Sequence, residues 1–234
     1  MARGAFRVPR LLRHDSGNEA LVFERFEGSE VGLGLDSEPL YARLGETLAA
    51  FQEDETSGEI ALFTLRDELE VLERWAAKVR TAVGALPEGW IETHARLVES
   101  ARDLPKARMG LAHRDLHDRQ VHLVQGDVTM LDFDLMCCAD VALDPGNLVA
   151  HLRWRALLGL HGASERSCRT LERAFLDAHG RSSEAGFETR LAFYTASAFL
   201  RLALVYRLRP RWSGRVPELV LMAGAVLDDL PSPR

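Results

Sequence analysis

One interruption in an otherwise helical pattern most strongly constrains the fold of this chain. Apolar residues recur at helical spacing through most of residues 36–229, but three short apolar runs replace that spacing between 109 and 131. The second and third runs, Val121–Val124 and Val128–Leu131, are separated by Gln-Gly-Asp, which is a turn signal. The sequence therefore predicts a β-hairpin set inside a helical body.

Seven segments around this hairpin predict helices. The first two begin at capping residues, Asp36-Ser37 and Thr64, and carry their apolar residues at helical spacing. The seven predicted helices run over about 36–52, 64–83, 88–103, 144–160, 164–179, 185–208 and 214–229.

The N-terminal stretch predicts strands instead. Residues 6–12 and 20–26, FRVPRLL and ALVFERF, are rich in β-branched and aromatic residues and flank the turn HDSGN. The glycine-rich stretch 26–39 predicts a linker. Two strands, a linker, helices, a hairpin and more helices predict an α+β fold with a helical majority. The expected division is residues 1–34 and residues 35–234.

Composition excludes several classes of protein. A net charge of -6 argues against a nucleic-acid partner. No apolar run approaches the ~20 residues that a membrane span needs, and the N-terminus lacks the apolar core of a signal peptide. Cys137, Cys138 and Cys168 show no C-x-x-C spacing, which disfavours a zinc or redox motif and fits a reduced, cytoplasmic protein.

The segment LAHRDLHDRQVHL, residues 111–123, carries ionisable groups where a simple turn would use Gly, Pro, Asn or Ser. Asp115 lies five residues before Gln120, which heads the first hairpin strand. Asp115 is therefore expected on the loop that leads into the hairpin, free to face a substrate hydroxyl.

A pair of carboxylates follows the hairpin in MLDFDLM, residues 130–136. In an extended chain Asp132 and Asp134 would point the same way and repel each other unless a positive charge lay between them. Oxygen ligands suit a hard cation such as Mg2+ or Mn2+, and the hairpin can bring Gln120 beside Asp132. One carboxylate as base, with two carboxylates and an amide on a metal, is what phosphoryl transfer requires.

HRDLHDRQ followed by LDFD resembles the catalytic loop and metal motif of the aminoglycoside phosphotransferase and choline kinase-like family, whose fold is protein-kinase-like. His113, Asp115 and Gln120 match H-x-D-x-x-x-x-N, and Asp132 and Asp134 match D-x-D. The resemblance implies transfer of the γ-phosphoryl group of ATP to a hydroxyl of a small molecule. It implies Asp115 as catalytic base and Gln120, Asp132 and Asp134 as ligands of Mg2+.

The resemblance spans about residues 6–155. Asp144 matches the aspartate that opens the next helix and braces the catalytic loop, and His113 would pack beneath that loop. ALVFERFEG, residues 20–28, resembles the last strand of the N-lobe and the hinge. The backbone of the hinge residues would then hold adenine: Glu24, Arg25 and Phe26.

Two departures from the family pattern matter. Gln120 stands where the family usually has Asn, so the amide sits on a stem one methylene longer. The chain also begins about where the fourth strand of a five-stranded N-lobe would start, and Lys78 and Lys106 both follow the hinge. The glycine loop and the strand-three lysine thus have no counterpart. A truncated gene product, a misplaced start and nucleotide binding without that lysine are all compatible with this.

A second function therefore stays open: a catalytically impaired kinase-like remnant or binding protein. Aminoglycosides, amino-alcohols and sugars all remain candidate substrates. The shortened N-lobe should leave its apolar side chains packed on the helical lobe or partly exposed, and exposure would favour a homodimer. These side chains are Phe6, Leu11, Val22 and Phe23.

Three further features have two interpretations each. His117 could contact substrate or phosphate, or be a solvated loop residue. Asp118 and Arg119 are most simply an exposed pair of little energetic value. RLRPRW, residues 207–212, could attract an anionic group, but positive charge at a helix end, where the dipole favours it, is the preferred interpretation.

Overall fold

A computed structural model describes residues 10–18, 20–25, 27–54 and 59–230. Within them, a small strand-rich N-terminal part precedes a mainly helical body, as the α+β prediction requires. The helices are α1 Glu38–Gln52, α2 Leu65–Val83, α3 Trp90–Ser100, α4 Leu143–Leu158, α5 Glu165–His179, α6 Phe187–Arg207 and α7 Val216–Asp228. The strands are β1 Leu11–Asp15, β2 Ala20–Phe23, β3 Ser29–Glu30, β4 Met109–Ala112, β5 Val121–Val124, β6 Asp127–Met130 and β7 Cys137–Asp140.

All seven predicted helices are confirmed, because their signals are local. At the start of α2, the Thr64 hydroxyl accepts a hydrogen bond from the Asp67 N–H while the Asp67 carboxylate accepts one from the Thr64 N–H. The helix ends at Gly84, whose φ of 82° suits a residue without a side chain. Leu72 and Ala76, on the predicted apolar face, are fully buried.

Closely packed helices support the loops. A Cβ added to Gly45 in α1 would lie 2.2 Å from the carbonyl oxygen of Phe175 in α5, so glycine allows these two backbones to approach. The long helix α6 packs against α4 and α7, and Phe193, Phe199 and Leu200 on it are fully buried. None of the described helices combines the length and apolar character needed to cross a bilayer.

Three small antiparallel sheets occur in the described residues: β1–β2, β3–β5–β6 and β4–β7. The predicted hairpin β5–β6 is confirmed, and its turn residues Gln125 and Gly126 have φ of 52° and 87°, the left-handed pair that a tight hairpin needs. Strand β7 is not predicted from sequence. Its pairing sets Cys137 opposite Ala112 and thereby closes residues 113–136 into one loop.

The N-terminal strands differ from their predicted bounds. β1 runs from Leu11 to Asp15, past the predicted end at residue 12, because Asp15 pairs with Ala20 and its carboxylate accepts the Asn18 N–H at 3.2 Å, which tightens the turn. Residues 6–9 and Phe26 lie outside the described residues. β2 ends at Phe23 instead of continuing to residue 26.

The predicted linker at 26–39 is partly structured. Its β3 pairs with β5, and Val31 and Leu33 are buried among the side chains around α1 and the hairpin. By contrast, β1–β2 keeps its apolar side chains in solvent: Leu11 is 49% exposed, Val22 36% and Phe23 49%. Of the two outcomes expected for these side chains, exposure is the one observed, and Phe6 lies outside the described residues.

Candidate active site

A buried carboxylate holds the loop that follows β4. Asp144, in the first turn of α4, accepts hydrogen bonds from the backbone N–H groups of His113 and Arg114, both at 2.7 Å. The ring of His113 is fully buried and its Nε2 lies 2.7 Å from the Leu131 carbonyl oxygen. Arg114 has a φ of 68°, which turns the chain sharply just before Asp115. The contacts of Asp144 and Leu131 thus fix the loop at the turn that precedes Asp115.

The electrostatics of Asp144 reflect this position. Complete burial raises the pKa of its carboxyl group, and the nearby His113 and the two backbone donors act in the opposite direction. A buried carboxylate has lost its hydration, so it is stable only while both N–H groups donate hydrogen bonds to it. Asp144 and the loop therefore depend on each other.

Asp115 is the loop carboxylate that reaches outward. Its side chain is 39% exposed, and the His117 ring lies beside it, with Nε2 3.9 Å from Asp115 Oδ2. Burial lowers the pKa of His117, with Asp115 and Asp118 acting in the opposite direction. The next residue, Leu116, is fully buried and anchors the loop on the side away from solvent.

Asp118 corrects one sequence interpretation. Instead of forming an exposed pair with Arg119, it is buried and accepts hydrogen bonds from Nε of Arg155 in α4 at 3.0 and 3.2 Å. Arg155 is also buried, so each charge compensates the other in a dry environment. Arg119 is exposed, as predicted, and lies 3.9 Å from Glu30.

The predicted metal-binding residues come from the two ends of the hairpin. The amide nitrogen of Gln120 donates to Asp132 Oδ2 at 3.1 Å, so the hairpin does bring these side chains together. Strand β6 ends at Met130 and Asp132 has a φ of 65°, which means that the extended-strand argument for Asp132 and Asp134 is wrong. The chain turns here because the Phe133 carbonyl accepts the Met136 N–H and the Phe133 ring packs against His113, with centroids 4.9 Å apart.

Asp132 and Asp134 are both exposed, and within the described ranges neither has a basic group within 4.0 Å. With Gln120 they offer only oxygen ligands, provided that the amide is turned so that its oxygen replaces its nitrogen. This donor set could hold a hard divalent cation.

Of the hinge residues, Glu24 and Arg25 are exposed after β2, and the Glu24 N–H already donates to the Arg10 carbonyl at 2.9 Å. Phe26 lies outside the described residues.

A second candidate metal cluster lies beside the loop. The ligand atoms of His117, Asp118 and His151 fall within 4.8 Å of one another. Asp118 is already held by Arg155, and the two imidazole rings stack at 4.7 Å with an interplanar angle of 28°. In stacked rings the lone pairs of the imidazole nitrogens lie in nearly parallel planes, so they do not converge on one metal ion. This cluster is therefore better suited to packing the loop against α4 than to holding a cation.

A cavity of about 770 Å³ opens beside the loop residues Asp115, His117 and Gln120. Its walls come from α2, α4, α6 and the segment after α6. Sequence reasoning missed these walls, apart from the basic stretch 207–212, because they join the loop only through tertiary packing. A larger depression of about 1000 Å³ along α4 and α5 contains none of the predicted site residues.

Comparisons with known proteins identify relatives of this arrangement. A family model described as the phosphotransferase enzyme family matches residues 1–189. No curated protein matches the chain. Among solved structures, a choline/ethanolamine kinase family protein from Mesorhizobium loti is 16% identical with a TM-score of 0.65, the match covering 94% of this chain and 73% of that one.

Two more solved structures show the same fold. A choline kinase from Streptococcus pneumoniae is 14% identical with a TM-score of 0.64, and the match covers 94% of this chain and 74% of the other. A macrolide 2'-phosphotransferase type I is 20% identical with a TM-score of 0.61, covering 97% and 74%. At these identities the likeness extends to the fold, a small N-lobe followed by a helical C-lobe.

Proposed function

This chain belongs to the phosphotransferase enzyme family, and we propose that it transfers the γ-phosphoryl group of ATP to a hydroxyl group of a small molecule. One observation carries the proposal. Asp115 stands at the edge of a cavity large enough for a small molecule, on a loop that Asp144 holds by two backbone hydrogen bonds. A carboxylate fixed in this way is suited to receive a hydroxyl group.

In the proposed reaction, a carboxylate oxygen of Asp115 accepts a hydrogen bond from the substrate hydroxyl. The hydroxyl oxygen forms a bond to the γ-phosphorus while the bond from that phosphorus to the β–γ bridging oxygen breaks, and ADP leaves. The hydroxyl proton passes to Asp115. Phosphoryl transfer depends mainly on positioning and on neutralising charge, so a rigid loop supplies the first of these requirements.

Gln120, Asp132 and Asp134 are the residues that would hold Mg2+. The ion, when bound, neutralises phosphate charge. The chain's own contribution is to present carboxylate oxygens at the end of the hairpin, where Asp132 and Asp134 are exposed and free of basic neighbours among the described residues. The hydrogen bond from Gln120 keeps Asp132 next to the loop that carries Asp115.

A second candidate is a kinase-like protein that binds its ligands without efficient turnover. The chain has two lysines, Lys78 and Lys106; the first lies on α2 and the second in the segment before β4. Neither lies on a strand of the N-terminal part, where the family carries the lysine that holds ATP phosphates. This candidate predicts binding of ATP and Mg2+ with little release of ADP.

The test measures ADP release and ATP binding by the purified chain with Mg2+ and a panel of small alcohols. We expect Asp115→Asn to lower turnover by ~10²–10⁴, as is usual for loss of a general base, while ATP binding persists. Asp103→Asn, at an exposed position before β4, is the matched control and should leave turnover unchanged. Near-normal turnover of Asp115→Asn would defeat the assignment, and ATP binding without turnover by the unmutated chain would favour the second candidate.

A further inference from the structure

The cavity beside Asp115 is rich in positively charged side chains. Its only carboxylate among the described residues is Asp115 itself. Five arginines contribute to its lining: Arg119, Arg155, Arg201, Arg209 and Arg211. A cavity with this lining concentrates negatively charged solutes, because its walls exclude part of the solvent that would otherwise screen the field.

Only two of the five guanidinium groups are compensated within the protein. Arg155 is paired with Asp118, and Arg119 lies 3.9 Å from Glu30. In the part of the chain that the structure describes, Arg201, Arg209 and Arg211 have no carboxylate within 4.0 Å. Three positive charges therefore face the cavity without a negative partner.

Arg201 is held in a fixed position relative to the loop. It is half-buried in α6 and donates to the side-chain oxygen of Asn147, whose own amide nitrogen donates to the Leu116 carbonyl at 2.9 Å. Leu116 directly follows Asp115. The guanidinium and the loop carboxylate are thus linked through one neutral side chain, which orients Arg201 without reducing its charge.

The Trp and Tyr rings of the cavity already lie against cations of the protein. A protein cation lies over each ring: Lys78 is 4.6 Å from the centroid of Trp75, Arg209 is 5.4 Å from Tyr206 and Arg211 is 4.6 Å from Trp212. One face of each of these rings is therefore already engaged by a cation of the protein. A cationic substrate would also meet the unpaired arginines at close range, which is unfavourable.

The helix dipole accounts for only part of the basic stretch 207–212. Arg207 is in the last turn of α6, where the helix dipole accounts for its charge. Arg209 and Arg211 lie beyond the helix end and line the cavity. The dipole does not account for these two residues, since its effect is confined to the last turn.

We propose that the alcohol accepted at this site carries a negatively charged group, a carboxylate or a phosphate, which Arg201 and Arg209 bind while its hydroxyl faces Asp115. The proposal rests on the proposed phosphotransferase function and names its substrate class. The planar guanidinium fork binds both anions through paired hydrogen bonds, so it defines the class of ligand by charge and shape. Aminoglycosides and amino-alcohols, which are cationic, are accordingly disfavoured.

The experiment compares three small alcohols that differ in charge: choline, glycerol and glycerol 3-phosphate. ADP release is measured with each, together with binding of inorganic phosphate in the absence of nucleotide. We expect kcat/KM to be highest for glycerol 3-phosphate and to fall with added salt, as the screening of an ionic contact requires. Arg201→Gln and Arg209→Gln should each weaken phosphate binding and lower that kcat/KM by about tenfold.

Arg66→Gln, an exposed arginine that does not line the cavity, is the control and should change neither quantity. Arg209 is exposed, so its variant remains informative if Arg201→Gln fails to fold. Preference for choline over glycerol 3-phosphate, or unchanged phosphate binding in both cavity variants, would overturn the proposal. Phosphate binding that depends on these arginines, without turnover of any alcohol, would support the anion site and instead contradict the phosphotransferase function.

Discussion

Two β-hairpins of similar length differ in what surrounds them. β1–β2 and β5–β6 are both antiparallel pairs joined by short, glycine-containing turns. Val128 in β6 is 2% exposed, whereas Val22 in β2 is 36% exposed. The first hairpin has one strand neighbour for each strand, while the second gains β3 along its edge and α1 against its face. Local sequence thus suffices to form a hairpin, but a packing partner decides whether it can fix chemical groups in place.

If this comparison is correct, equivalent substitutions should have large effects in the lobe that carries the site and small effects in the N-terminal hairpin. Four matched pairs of variants test it. In each pair the two residues are of the same type and differ in burial or in backbone conformation.

The largest difference is expected between two aspartates that accept backbone N–H groups. Asp144→Ala leaves the N–H groups of His113 and Arg114 without their acceptor and should lower the free energy of unfolding by about 3–5 kcal/mol. Asp15→Ala removes an exposed acceptor of the Asn18 N–H and should cost less than about 1 kcal/mol. Urea denaturation measures both values, and similar losses would contradict the comparison.

A second pair concerns the dependence of stability on pH. Burial, with Arg181 acting in the same direction, lowers the pKa of His179 to about 4, against about 6.5 in the unfolded chain. The stability due to neutral His179 is therefore present above pH ~6.5 and is lost as the pH falls towards ~4, by up to about 3 kcal/mol.

His179→Gln should flatten this part of the profile, because glutamine does not titrate. His14→Gln, on the exposed strand β1, should leave the profile as it is. Thermal unfolding at a series of pH values between 4 and 7 provides the measurement. A His179→Gln profile that is as steep as that of the unmutated chain would show that His179 is already charged in the folded protein.

The third pair compares two valines. Val128→Ala removes two methyl groups from a filled environment and should destabilise the fold by about 2 kcal/mol. Val22→Ala should change the free energy of unfolding by no more than about 0.5 kcal/mol, because that side chain already contacts water. A loss of about 2 kcal/mol for Val22→Ala would mean that a partner, such as a second copy of the chain, covers β1–β2 in solution.

The smallest difference is expected between the two turn glycines. Gly126 has a φ of 87°, and although no atom lies within 4 Å of an added Cβ, alanine there would be strained by about 1 kcal/mol. Gly17 does not have a positive φ of this kind, and its added Cβ would meet only Asp15 Oδ1, at 3.6 Å. Gly17→Ala should therefore be neutral or stabilise by a few tenths of a kcal/mol, roughly. Chemical denaturation with closely spaced points resolves a difference of this size.

The same distinction explains what the sequence could predict. Helices and the β5–β6 hairpin were predictable because caps, apolar spacing and turn residues act over a few neighbouring residues. β3 and β7 were not, since each pairs with a strand that is not its neighbour in the sequence, β5 and β4 respectively.

The residues of the candidate site also separate into those that local sequence could predict and those that only tertiary packing brings together. Asp115, Gln120, Asp132 and Asp134 could be selected because they form contiguous motifs, although their metal-binding and catalytic roles remain predictions. The burial of Asp118 could not be foreseen, because its partner Arg155 comes from α4. The unpaired Arg201 is likewise brought to the cavity only by the packing of α6.

The pairing of β4 with β7 has a consequence for how the chain reaches its folded state. The pairing of Ala112 with Cys137 brings together the two ends of the segment that contains the loop and the hairpin, and Asp144 follows soon after in the sequence. Closing a short loop costs less entropy than closing a long one, and contacts between residues that are near in sequence form early in folding. The stretch 109–144 is therefore expected to gain amide protection ahead of the α6–α7 contacts when refolding is followed by pulsed hydrogen exchange. The cavity wall would then be added to a loop that already has its shape.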